Sequence, residues 1–433
     1  MTNDDADGTH EGDRTNRTDE TRRGGPERDA DRGPPASETP TSIHVVTEYP
    51  GETLDEKLER VFETLPGEGR GRQSGHRIVI PAPDPDDPAA IAEGPDWRVE
   101  SPIVVDDLLG KVVFELGWTR LRATAPIEHF LVVGPDDKTA HVTLEGGMFY
   151  ANGNVERSFV DIRGVGHMHV DRTYLESLEG RNSVPAGIRL RDYHGTSEVT
   201  ITDTEVTGCR DGFLAEHGVD DVPYGAAFDL DIYNWRGGGG EHSIRIDGGV
   251  GITLHSIQVG GHPIQSVSDS IVKLENAVTP VRNVSISNVR ERHNAMAYDC
   301  GVAAVDATDG KGDRHDGLYV RNVDCHHAAR STDLEYVAAF DQENLRPPPR
   351  VGDSADGSTR RFDGDGGVQR HETTGTHAFY AGGSAEPTAV VDERDVHLPQ
   401  AGGGVVLTTP DGDRRFRLRV DDDGTPITEE LER

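Results

Sequence analysis

Residues 199–212 read Val-Thr-Ile-Thr-Asp-Thr-Glu-Val-Thr-Gly-Cys-Arg-Asp-Gly. The first half alternates apolar and polar side chains; the second breaks into glycine and charge. Alternation with a period of two marks a strand with one buried side. The same phrase returns, loosely rewritten, along the chain. The apolar pair Val199/Ile201 is echoed by Val142/Leu144, Met168/Val170, Phe228/Leu230, Ile252/Leu254, Val284/Ile286 and Leu318/Val320, in steps of 26, 31, 29, 24, 32 and 34 residues. A second pair precedes most of them: Leu131/Val133, Val160/Ile162, Ile188/Leu190, Ile244/Ile246 and Val272/Leu274.

Self-similarity at a period of 20–50 residues signals a solenoid. Two or three short strands per period, with no helix between them, signal a β-solenoid. Each coil then stacks on the last at the strand spacing of about 4.8 Å. The phrase recurs because every coil must offer the same inward stripe to its neighbours. The crossover rule for parallel strands predicts a right-handed coil.

The flanks read differently. Residues 1–41 carry almost no hydrophobes, and such a composition predicts a disordered acidic arm. Thr53, with Glu56 three residues on, opens a helix carrying Leu54, Leu58, Val61, Phe62 and Leu65 on one side. Strands are predicted at 77–81, 101–105 and 111–116. The solenoid with its helix is expected over 42–340, and a polar linker over 341–375, where Pro347, Pro348 and Pro349 fall together. A small all-β module is expected over 376–433, with strands at 377–381, 388–391, 404–409 and 415–420.

Only 33% of the residues are hydrophobic, while Gly numbers 52. Asp and Glu total 78 against 44 Lys and Arg, for a net charge of −34, and the lysines are just Lys57, Lys111, Lys138, Lys273 and Lys311. Acids spread through every segment suit a surface that stays hydrated at multimolar salt, where charges are screened within about 3 Å. A halophilic protein is the expectation. The same charge argues against nucleic acid, whose phosphates require a basic patch. Neither an apolar leader nor a membrane-length apolar run is visible. The expectation is a soluble chain without membrane contact, cytoplasmic at synthesis and used there, in a virion or outside the cell. Cys209, Cys300 and Cys325 form no metal or disulfide pattern and are expected to be buried free thiols.

The capped helix, the Arg-Ile-Val-Ile-Pro strand at 77–81, Ser-Pro-Ile-Val-Val at 101–105, Val-Thr-Leu-Glu-Gly-Gly at 142–147 and the repeated coils together resemble the pectate-lyase superfamily. Polygalacturonase-like enzymes and phage tailspikes share that branch. The resemblance covers about residues 43–339. It implies a single-stranded parallel β-helix closed by an N-terminal cap. It implies a polysaccharide partner, with cleavage by a glycosidase or a lyase. The catalytic motifs of the polygalacturonases are absent, so it carries over no catalytic residue. The stretch 403–429 resembles a terminal hairpin of phage-tail proteins, which implies a tailspike-like rod and a homotrimer. The alternative is a non-catalytic structural or adhesion rod.

On a solenoid, outward residues at equivalent positions form columns. Aligning the pairs gives Thr143, His169, Thr200, Asp229, Thr253, Ser285 and Tyr319, flanked by Glu145, Asp171, Thr202, Asp231, His255, Ser287 and Arg321. Asp229 and Asp231, two apart on an extended strand, would lie roughly 6.5–7 Å apart. That falls within the separation needed by two carboxyls in glycoside cleavage, about 5–9.5 Å. They are the candidate catalytic pair, tuned by His255 or Arg245. His169, Asp171, Tyr233 and Trp235 are the candidate substrate contacts, the aromatics by stacking on sugar rings. A hydrolase would use no cofactor; a lyase would use a basic residue such as Arg245 and carboxylate-bound Ca²⁺.

Overall fold

The computed structural model describes residues 42–346, apart from short connecting segments of which 66–74 and 217–226 are the longest, and the strands between Gln369 and Leu431. It is a parallel β-solenoid. Each full coil contributes to three parallel sheets, here faces A, B and C. Around Val199 the chain runs along face A at Glu198–Thr202, turns, and follows face B and then face C within the single strand Glu205–Glu216. The first of the recurring pairs lies on face A and the second on face C.

Register comes from the inward stripe. On face A, Val142 pairs with Met168, Met168 with Val199, Val199 with Leu230, Leu230 with Ile252, Ile252 with Val284 and Val284 with Leu318. On face C, Leu131, Val160, Ile188, Phe213, Ile244, Val272 and Val302 form the matching column. All these residues are buried and belong to one continuous core.

The corner between faces A and B fixes how the coils align. Two residues after each inward pair stands one in the left-handed region: Gly146, Arg172, Asp203, Asn234, Ser256, Asn288 and Asn322. Gly, Asn and Asp reach that region at least cost, and they hold five of these seven places. The corner backbones are themselves stacked, as in Asp203 N–H to Tyr233 O at 3.1 Å and Asn234 N–H to His255 O at 3.0 Å. Asn322 Nδ2 adds a bond to Asn288 Oδ1 at 3.1 Å.

This corner corrects the sequence alignment at one coil. Val199 pairs with Leu230, not with Phe228, so the inward pair is Leu230/Ile232. The steps either side are therefore 31 and 22 residues, not 29 and 24. Phe228 is itself apolar, which lets either residue satisfy an apolar–x–apolar search. Anchoring on the left-handed Asn234 would have chosen correctly.

The helix Leu54–Thr64 begins as expected. Thr53 Oγ1 accepts from the Glu56 N–H at 3.3 Å, and Glu56 Oε2 accepts from the Glu52 N–H at 2.7 Å, one residue before the cap. Leu54, Leu58 and Val61 are buried, and Phe62 meets Phe114 edge-on at 6.1 Å. The helix packs against the early strands Asp96–Val99 and Ile103–Val105. The solenoid strands run on to Arg346, six residues past the expected end. The arm at 1–41 and most of the 341–375 linker lie outside the described residues, but Gln369–Thr373 is a strand inside that expected linker. The C-terminal strands form two antiparallel sheets, of four strands from Gln369 to His397 and three from Val405 to Leu431. The three cysteines are buried and free. Among the described residues no helix is long and apolar enough to cross a membrane.

Ile201 is fully buried in the face A stripe. Ile201→Asp should cost more than about 3 kcal/mol by burying an unpaired charge. A melting temperature within a few degrees of the parent would place Ile201 outside the core.

Candidate functional site

The corrected register separates the two aspartates singled out from the sequence. Asp231 stands in the outward column with Thr143, His169, Thr200, Thr253, Ser285 and Tyr319. Asp229 belongs to an earlier column with Gly251, Asn283 and Gly317, all four in left-handed conformation. It lies within the strand Ala227–Tyr233, but its left-handed backbone, φ 45°, breaks the extended geometry on which the expected spacing rests. The Asp229 carboxylate instead lies over Gly251, with Oδ1 2.7 Å from where a Cβ would stand.

The second outward column is Glu145, Asp171, Thr202, Tyr233, His255 and Ser287, with Tyr233 in the place assigned to Asp231. His255 bonds to Ser287 Oγ through Nδ1 at 2.8 Å and sits 6.2 Å from the Tyr233 ring. His169 reaches Thr202 Oγ1 at 3.2 Å, and that hydroxyl donates to Asp171 Oδ1 at 2.6 Å. Burial works to raise the Asp171 pKa, but the bonds from Thr202 and Arg172 outweigh it and hold it below the usual range. His169 and Asp171 are thus joined, as are Tyr233 and His255. Arg245 is not with them. It lies on face C, bound to Glu275 at 2.7 Å.

Trp235 is corrected outright. It is fully buried, and its indole N–H donates to Ser243 Oγ at 2.9 Å. Simple alternation from Asp231 and Tyr233 would turn it outward. The left-handed corner at Asn234 resets the alternation, so the residue after it faces the core, as do Ile257, Val289 and Val323 one coil apart. A Cβ on Gly212 would stand 3.1 Å from the Trp235 ring and 2.6 Å from Ser243 O, so this ring needs the glycine beneath it.

A set of interacting polar groups stands on face C, and pairing apolar residues could not find it. Two residues before each inward pair stands a second column: His129, Ser158, Ala186, Asp211, His242, Ser270 and Cys300. Its members are buried. His242 is clamped between two carboxylates, Nδ1 to Asp211 Oδ1 and Nε2 to Asp269 Oδ2, each at 2.7 Å. Burial alone would lower its pKa; the two carboxylates reverse this and raise it. The ring is therefore held as imidazolium, with both N–H groups donating. The bond from His242 also draws Asp269 down to about 2, aided by Lys273 at 3.1 Å. Lys273 further approaches Glu275 at 3.4 Å, and Glu275 receives Arg245. In the coils below, Arg189 pairs with Glu216.

The rule of pairing buried charges is met throughout this network. Its inner end, Asp211 and His242, is closed to solvent. Its outer end is open: the side chains of Asp269 and Arg245 are 38% and 31% exposed. His129, four coils earlier in the same column, is the opposite case. Burial drives its pKa from 6.5 down to about 4, despite Asp161 at 3.5 Å, whose charge is already taken by Arg191 and Arg163.

Asp211, Glu241 and His242 can bring three ligand atoms within 4.8 Å of one another. The set does not suit the Ca²⁺ that a lyase would use. Ca²⁺ takes six to eight oxygen ligands, whereas one donor here is an imidazole and the Arg210 guanidinium already binds Asp211 at 3.0 Å.

No known protein family, curated protein or solved structure matches this chain.

The pKa values of His129 and His242, both buried, should be displaced in opposite directions. Imidazole NMR should show His129 neutral until the pH falls near 4 and His242 still protonated above 6.5. His129 takes up protons more readily unfolded than folded, so it costs stability as the pH falls from 6.5 toward 4. His242 adds stability below 6.5 and loses it as the pH rises through its own raised value. His129→Gln should flatten the acid-side loss, and an unchanged slope would mean that His129 is not held neutral.

Proposed function

We propose that the protein is a polysaccharide-binding parallel β-helix of a halophilic setting, and that face C is its binding face. The observation that carries this reading is the charged network of Arg245, Glu275, Lys273 and Asp269, with the separate Arg189–Glu216 pair in the coils below. It sets fixed donors and acceptors on successive coils about 4.8 Å apart. Hydroxyl-rich chains are recognised by such groups, and charge-assisted bonds are the stronger ones. The wider resemblance to polysaccharide-acting β-helix proteins points the same way.

Binding is favoured over hydrolysis by the protonation pattern. A glycosidase needs one carboxyl kept protonated, by a raised pKa. Among the described residues the carboxyls with displaced pKa values, Asp161, Asp171, Asp269 and Glu291, are all displaced downward. A second reading, cleavage, would use Asp269, the exposed carboxylate of the network, which His242 and Lys273 hold ionised. The reading as a trimeric, tailspike-like or adhesive rod keeps face C as its contact surface.

A polysaccharide panel at about 3 M KCl, where screening is complete, tests both. Arg245→Gln with Lys273→Gln should weaken binding at least about tenfold, the loss expected of one or two charge-assisted bonds. Reducing ends and absorbance at 235 nm, read together, report cleavage. If cleavage occurs, Asp269→Asn should cut it by about 100-fold or more. Binding to no polysaccharide, or binding indifferent to both substitutions, rejects face C. Dialysis from 3 M to 0.05 M KCl should lower the melting temperature as repulsion within a chain of charge −34 loses its screening. An unchanged melt rejects the halophilic reading.

A further inference from the structure

Three histidines stand on the outer side of face A, on a different face from the network above. His141 lies on the strand Thr139–Tyr150, and His167 and His169 on the next, Val165–Asp171. His141 pairs directly with His167 in the parallel ladder. His167 and His169 are two residues apart on one strand, so they share its outer side, with Met168 between them turned into the core. His141 and His167 are exposed and His169 is half-buried. The pairing stacks the rings of His141 and His167, with centroids 4.3 Å apart and planes 3° from parallel.

The coil that follows supplies an orienting carboxylate. Glu198 pairs with His167 and brings Oε2 to 2.5 Å from Nδ1. An ionised carboxylate has no proton to offer, so the proton between them belongs to Nδ1. In the neutral ring that leaves the lone pair on Nε2. A carboxylate behind an imidazole in this way is the usual support of a metal-bound histidine. His169 donates through Nε2 to Thr202 Oγ1 at 3.2 Å, since that hydroxyl already gives its proton to Asp171. The ligand atoms of the three rings are not all within 4.8 Å of one another as they stand. His169 closes the set by exchanging its long bond to Thr202 for a swing toward His167. Lys111 pairs with His141 from the coil before, and its charge limits the site on that side.

We propose that His141, His167 and His169 bind one zinc ion, with Glu198 as the positioning residue behind His167. Three imidazoles with a fourth position left to water are an established zinc ligand set. Nitrogen donors favour zinc and its neighbours copper and nickel, whereas Ca²⁺ and Mg²⁺ take oxygen. The strongly negative charge of the chain draws cations toward its surface. The ion would bridge two successive coils on their solvent side.

Titration calorimetry with ZnCl₂, at one fixed KCl concentration and about pH 7.5, where an ordinary imidazole is mostly neutral, tests this. His141→Gln, His167→Gln and His169→Gln should each weaken zinc at least about tenfold, with circular dichroism unchanged. Glu198→Gln should weaken it roughly 10–100-fold. In the parent protein, excess CaCl₂ should not displace zinc. Imidazole nitrogen NMR of the parent, which needs no variant to fold, should show zinc shifting His167 Nε2 while Nδ1 keeps its proton. Without zinc, Glu198→Gln should remove the preference of His167 for the proton on Nδ1, a change that a purely structural role would not produce. Absence of zinc binding overturns the proposal, as does full affinity in the His141→Gln/His167→Gln double variant. Displacement by Ca²⁺ would make it a carboxylate site and overturn the nitrogen ligands. Full affinity in His169→Gln overturns the three-histidine set, and zinc on His167 Nδ1 overturns the role of Glu198.

Discussion

The constraint on which this molecule depends is that a backbone corner must stack on the corner below it. Between faces A and B each coil spends one residue in left-handed conformation and donates its N–H to the next coil's carbonyl. That single residue ends one strand, sets the phase of the next and aligns each coil with its neighbours. Inward stripes then superpose, and burial of Val, Ile and Leu along one continuous core stabilises what the corners have positioned. Side chains on the outside inherit their places from this arrangement. A cross-coil pairing such as Arg245 with Lys273 exists only because the corners beneath keep step.

The same stacking explains how a strongly acidic protein keeps buried charge. Partners come from neighbouring coils, about thirty residues apart in sequence but one strand spacing apart in space. His242 finds Asp211 below it and Asp269 above it. His129 finds an Asp161 already neutralised by two arginines and stays uncharged. Equivalent positions in one column thus hold one neutral and one charged histidine. The difference is made by what the neighbouring coils contribute, not by depth, since both rings are almost fully enclosed.

Much of the fold was legible in the sequence because its signal is local and repeated. The inward pairs, the helix cap at Thr53 and the free cysteines all follow from short stretches. What was not legible depends on phase and on distance. The left-handed Asn234 turned Trp235 inward against plain alternation, and Phe228 imitated the true stripe residue by two positions. The face C network was hidden for another reason. Asp211, His242 and the Asp269–Lys273 pair come from three successive coils, and none lies in a recognisable local motif. A search for the polar residue two places before Phe213, Ile244 and Val272 would have collected Asp211, His242 and Ser270.

The coil from Leu230 to Ile252 takes only 22 residues, against 31 and 32 for the coils on either side. It crosses faces B and C in the single strand Arg236–Asp247, with no excursion between them. The His242 clamp stands on this shortest coil. From face C to the next face A strand it uses Gly248 alone, which is buried and donates its N–H to Glu275 O at 2.9 Å, whereas the coils on either side spend ten and five residues there. Connection length at this corner thus differs from coil to coil while the inward stripe keeps its register.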